Sequence, residues 1–185
     1  MAANPFLSAL GAVSGLQGKP APEDEPYFAA LGRFIAAYAV AEANVHMLAR
    51  HLTNLPDEKA RILFDRVSLD RLMERIRQMM RLDGADPCIF DDVDACLSHL
   101  AIIAQKRHNI VHRFVQYNEG QITVTNALTA KHLKSIETES FTITDLNNMQ
   151  ADCAVISVRL RRISDPEEAP NASFQEFLHG PWRYR

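Results

Sequence analysis

Residues 100–114 read LAIIAQKRHNIVHRF, and this stretch decides the fold. On a helical wheel of about 100° per residue, Leu100, Ile103, Ala104, Val111 and Phe114 fall within about 60° of Arg107. Apolar side chains at that spacing mark one face of an α-helix that must be buried against other elements. At the centre of the face stands a guanidinium, which cannot shed its charge, so burying it calls for an anionic partner or a bound anion. Two imidazoles, His108 and His112, stand side by side about 100° and 140° away.

Working outward, Asp86 before Pro87 has the order of a helix N-cap and first turn, so this helix should run from there to about Arg113. Upstream, Ser68 caps LDRLMERIRQMMRLDG, whose Leu69, Leu72, Met73, Ile76 and Met80 form a stripe that Gly84 ends. PDEKARILFDRV predicts a short helix. From Glu25 to about Thr53 no proline intervenes, and Leu31, Ile35, Tyr38, Val45, Ala49 and Leu52 keep the three-and-four spacing of a long first helix. Downstream the period changes. RFVQYNEGQITVTNA alternates β-branched and aromatic residues with polar ones about a Gly-containing loop, predicting a two-stranded hairpin at about 113–126 that must lean on the helices. Thr144 then opens a last helix, with Leu146, Met149, Cys153, Ile156 and Leu160 on one face. The sequence therefore predicts an all-α bundle of four to five helices over 24–163, with a small β-hairpin inserted after the arginine-bearing helix. Residues 1–23 read as a flexible lead-in. Residues 164–185, punctuated by Pro and Gly around a short FQEFL turn, read as a tail anchored by Trp182.

Composition sets bounds on function. The 185 residues are 47% apolar and 23% charged, enough for one domain with a real core. A net charge of −3 gives no general field for a polyanion, so any such site must be a local concentration of charge. Cys88, Cys96 and Cys153 are odd in number and form no CxxC pair, which fits buried reduced thiols in a cytoplasmic protein. No apolar run approaches the roughly 18 residues of a membrane span, and the N-terminus lacks the positive region of a signal peptide.

A local concentration of charge is present. Between Asp94 and Glu119 there is no acidic residue, while Lys106, Arg107, Arg113, His99, His108 and His112 all lie inside the interval. On the first helix Glu42 is flanked by Leu31, Ile35, Tyr38 and Ala49 within about 40°. Two opposite charges, each central in an apolar seam, predict an Arg107–Glu42 ion pair across packed helices. The alternative is a pair that only fixes helix register.

RHNIVH resembles the signature of the HEPN superfamily (higher eukaryote and prokaryote nucleotide-binding domains): Arg, a polar residue, three variable residues, His. Arg107, His108 and His112 match those positions, Glu42 matches the acidic residue that recurs on the family's first helix, and the resemblance spans roughly residues 25–163. It implies a metal-independent endoribonuclease acting as a homodimer on single-stranded RNA, with no cofactor, in toxin-antitoxin or phage-defence settings where a cognate antitoxin is the partner. His112 would be base or acid, Arg107 would hold phosphate oxygens, and His108 would be a second proton carrier or orient the scissile group. Lys106 and Arg113 would bind substrate. His108 stands where Asn is commoner, and inactive HEPN domains that only dimerise or bind partners supply the alternative reading. Other readings are weaker. His108 and His112 lack a third metal ligand. His46 and His51 read as a packed and an exposed imidazole. Arg71, Arg75, Arg77 and Arg81 alternate with Asp70, Glu74 and Asp83, as on a solvated helix face.

Overall fold

The computed structural model describes residues 25–118, 121–164 and 180–185. The lead-in and the FQEFL turn lie outside the described residues. Among them are five α-helices, a short 3-10 turn (Leu133–Ser135) between β2 and β3, and one three-stranded antiparallel sheet, in the order α1 (Glu25–Thr53), α2 (Asp57–Phe64), α3 (Leu69–Leu82), α4 (Pro87–His112), β1 (Phe114–Asn118), β2 (Gln121–Thr125), β3 (Thr138–Thr142) and α5 (Ile143–Ser164).

The helix ends are set by local chemistry. Asp86 accepts from the backbone N–H groups of Cys88 at 2.8 Å and Ile89 at 3.4 Å, with Pro87 in the first turn. α3 ends in a Schellman turn: Gly84 takes φ +64°, its N–H donates to the Arg81 carbonyl, and the Ala85 N–H donates to Met80. Ser68 occupies the N-cap position of α3 but its hydroxyl makes no capping bond. The last helix starts at Ile143, ahead of Thr144, and its cap is Thr142. The Asp145 N–H donates to the Thr142 hydroxyl oxygen at 3.1 Å, and the Thr142 N–H donates back to the Asp145 carboxylate at 2.8 Å. This is a reciprocal capping box.

The four long helices form a ring. α1 packs chiefly on α5 and also on α3, α4 packs between the same two, and α1 and α4 stand diagonally across the bundle. Phe34, Leu48, Leu72, Leu97, Leu100 and Ile156 are fully buried at the centre. α1 is long and apolar enough to cross a membrane by length and composition alone, but Tyr27, Phe34, Tyr38, Val45 and Leu48 on one of its faces belong to this core.

The predicted hairpin is present, with Val115 opposite Val124 and Tyr117 opposite Ile122. A third strand, unforeseen, pairs with it so that Ile122 faces Phe141 and Val124 faces Glu139. Ile122, Val124 and Phe141 point into the core, and Tyr117 stacks on Tyr27 of α1 at 5.0 Å. The sheet thus leans on the bundle, as three five-residue strands must.

All three cysteines are free, but only two are buried: Cys96 and Cys153 lie in the core and Cys88 is exposed at the start of α4, against the expectation of three buried thiols. Burial pushes both core thiols up to about 12, with Asp92 adding to the effect at Cys96 and Asp152 at Cys153. Ellman's reagent at pH 8 should therefore label one thiol quickly in the native protein and the other two only after unfolding. Three equally fast thiols would contradict this packing.

Candidate functional site

α4 carries the site residues on its last two turns. Its buried stripe, through Val93, Cys96, Leu100, Ile103 and Ile110, is centred within about 15° of Arg107 on the wheel. The position read from the sequence is the position in the fold. Arg107 is half-buried, and its guanidinium carbon lies 5.6 Å from the centre of the Tyr38 ring. Its Nε is buried with no hydrogen-bond partner.

The expected Arg107–Glu42 ion pair is not formed; among the described residues no carboxylate lies within ion-pair reach of Arg107. The reason is the true orientation of α1. Its buried face runs through Tyr27, Ala30, Phe34, Tyr38, Ala41, Val45 and Leu48, which places Glu42 about 85° from the centre of the face. α1 and α4 are also diagonal in the ring. Tyr38 occupies the space between them, and both charges act on it. Burial and then Glu42 raise the Tyr38 phenol to about 12, while Arg107 opposes the shift.

The other cations of the interval are answered from a distance. Lys106 donates to Glu139 in an ion pair, and Asn109 donates to the other oxygen of the same carboxylate at 3.0 Å. Arg113 donates to Glu137 at 2.8 Å. Burial works against the Lys106 ammonium, but the hydrogen bond and the charge of Glu139 outweigh it and hold its pKa above the usual value. Lys106 and Arg113 are therefore fasteners between α4 and β3, not open substrate contacts as the sequence suggested. Glu137, Glu139 and Asn109 were missed. β3 has Glu139 and Phe141 on its inward face and Glu137 just before it, so an acid stands where an apolar residue would announce a strand and the hydrophobic alternation is absent.

His108 and His112 are both exposed, with ring centroids 4.7 Å apart and planes inclined at 48°. What remains open at this end of the bundle is an unpaired arginine and two accessible imidazoles. That set can hold an anion and move protons. The competing candidates stay bland. Arg71, Arg75 and Arg81 are exposed, and Arg77 is tied to Asp94 at 2.5 Å and to Ser98 at 3.1 Å. His46 is half-buried and His51 exposed.

The Tyr38 shift makes a test of this geometry. The unfolded chain loses the phenolic proton near pH 10 and the folded chain near pH 12, so above pH 10 the unfolded state binds fewer protons and stability falls as pH rises. Absorbance titration at 295 nm should show a phenol that ionises near pH 12, and Tyr38→Phe should remove that step and flatten the alkaline loss of stability. A Tyr38→Phe titration identical to the parent would overturn the assignment.

Compared with protein-family models, curated proteins and solved structures, the chain matches none.

Proposed function

We propose that this chain is a metal-independent endoribonuclease of HEPN-like type, cleaving single-stranded RNA at a composite site between two copies. The observation that carries the reading is Arg107: a permanent charge, half-buried, without a carboxylate partner among the described residues and with an unbonded Nε, next to two exposed imidazoles. Neutralisation by Glu42 would have left little charge for a phosphate, and that neutralisation is absent.

In the reaction the RNA 2′-hydroxyl oxygen attacks the adjacent phosphorus as the bond from phosphorus to the 5′-oxygen breaks. The products are a 2′,3′-cyclic phosphate and a 5′-hydroxyl. An imidazole takes the 2′ proton and an imidazolium gives one to the departing oxygen, while the Arg107 fork bonds the non-bridging oxygens whose charge grows in the transition state. In-line displacement puts the acceptor and donor at opposite apices of the phosphorus. His108 and His112, one helical turn apart on one face, approach from the same side. A second copy, turning its own α4 end toward the first, supplies the other side. DNA, lacking the 2′-hydroxyl, is not cleaved this way. A cytoplasmic setting with an antitoxin partner belongs to the same reading.

The second reading is a catalytically silent module for dimerisation or partner binding. It is favoured by the engagement of Lys106 and Arg113 with Glu139 and Glu137, which leaves fewer open cations for RNA.

The test is cleavage of a structureless RNA with chelator present. His112→Ala should lose about 10²-fold or more, the ordinary contribution of a general acid or base. Arg107→Met should lose about 10²- to 10³-fold, as for removal of one transition-state donor. Because a buried donor without a partner costs about 1–3 kcal/mol, Arg107→Met should be as stable as the parent or more so in urea. An inert parent that elutes as a monomer would end the nuclease reading. A variant several kcal/mol less stable would assign Arg107 to the fold instead.

A further inference from the structure

The far side of α4 holds a second construction, independent of the RNA site. Asp152, on α5, is 1% exposed, and its carboxylate accepts from the backbone N–H of Arg183 at 3.0 Å and of Tyr184 at 2.9 Å. His99 of α4, 6% exposed, lies 2.9 Å from the same carboxylate through Nε2. Of these partners only His99 belongs to the bundle. The others belong to residues 180–185, GPWRYR, which lie across the α4–α5 groove.

The side chains of this segment alternate. Pro181, Arg183 and Arg185 are exposed, Trp182 is half-buried and Tyr184 is buried, the pattern of an extended peptide with every second residue in a pocket. The Trp182 ring stacks on His99 at 4.4 Å with planes 9° apart, and the Arg159 guanidinium lies over it at 5.0 Å. Both walls of the slot are fixed by the bundle: Arg159 is 10% exposed and bonds Asp92 at 3.1 Å. Beside the segment a cavity of about 390 Å³, lined also by the half-exposed Ile102, is left open.

We propose that the α4–α5 groove is a peptide-acceptor site in which residues 180–185 are a displaceable occupant, and that a separate protein segment with the same aromatic–arginine–aromatic order binds there in their place. The chemistry is that of extended-peptide recognition. A buried carboxylate reads two successive main-chain N–H groups whatever the sequence, and pockets at alternate positions select the aromatics. Without a peptide, Asp152 would keep one neighbour and bury a charge short of donors, so the groove favours being filled. A tethered occupant competes at an effective concentration on the order of millimolar. An outside peptide therefore binds well only when the resident segment is weakened.

The test uses the full chain and a fluorescent peptide, GPWRYR labelled at its N-terminus. By anisotropy, Trp182→Ala protein should bind it at least tenfold more tightly than the parent. A peptide N-methylated at the amides of its arginine in the fourth position and its tyrosine should bind that variant at least tenfold more weakly, because it has lost both donors to Asp152. In the parent, an excess of unlabelled peptide with phenylalanine in place of its tryptophan should raise acrylamide quenching of Trp182, the protein's only tryptophan. Equal binding by parent and variant, or by native and methylated peptides, would overturn the proposal. So would loss of the helical circular dichroism signal in Trp182→Ala, which would make the segment part of the core.

Discussion

One carboxylate fixes the relation between the helices and the sheet. Glu139 is on the inward face of β3, opposite Val124 and two residues from the buried Phe141, and its oxygens take Lys106 and Asn109 from about one turn apart near the end of α4. Apolar burial of Ile122, Val124 and Phe141 supplies the attraction, but that attraction has no direction. The charged contact has one. It sets where along α4 the sheet seats, and Glu137 repeats the fastening at Arg113, the residue after the helix. The cost of a partly buried ion pair is offset here by Asn109, which satisfies the second oxygen.

The same contact sorts the cations of α4. Lys106 and Arg113, on either side of Arg107, are spent on the sheet, whereas Arg107 points to the bundle and meets the face of Tyr38. A guanidinium on an aromatic face gains from the ring quadrupole and from burying its flat surfaces. Its edge still has donors to satisfy, and Nε has none of its needs met. A leucine or methionine would serve the fold better, since an orphaned buried donor is a standing cost. Such violations of polar satisfaction gather where a chain does something besides fold. Arg50 and Arg159 share the unbonded Nε; what sets Arg107 apart is its place on the same helix end as the exposed His108 and His112, and that combination carries the functional reading.

The helices were legible because period and punctuation agree: stripe, N-cap and stop signal coincide at α3 and α4, and α5 follows its stripe even though its cap moved to Thr142. The face of α1 was misjudged by most of a right angle. Its bulky residues Leu31 and Ile35 are only half-buried, while Ala30, Ala41 and Ala49 are fully so. Small residues let helices approach closely but add little to an apolar stripe, so the wheel was drawn toward the bulky residues and placed Glu42 at its centre. β3 was illegible for another reason. Its inward positions are Glu139 and Phe141, and Glu139 and the preceding Glu137 are matched to cations 33 and 24 residues earlier, a complementarity that no local pattern encodes. Asp152 and residues 183–184 are likewise a long-range match: Trp182 was expected as an anchor, but the carboxylate that receives the backbone beside it was not.

α4 is the element on which these separate matches converge. Within two turns it presents His99 to Trp182, Lys106 to Glu139 and Arg107 to Tyr38. Tyr184 closes the circuit: it is buried near Lys106, Glu139 and Asp145, and burial raises its phenol while the ammonium opposes the shift. The segment 180–185 therefore shares an electrostatic environment with the fastener that holds the sheet, although it touches neither His108 nor His112. Coupling between two sites needs an element with two discrete arrangements. A continuous helix such as α4 has one. The groove, filled or vacated, has two, and Tyr184 within it feels the charge of Lys106, so the pairing of Lys106 with Glu139 is where occupancy of the groove would register beside Arg107.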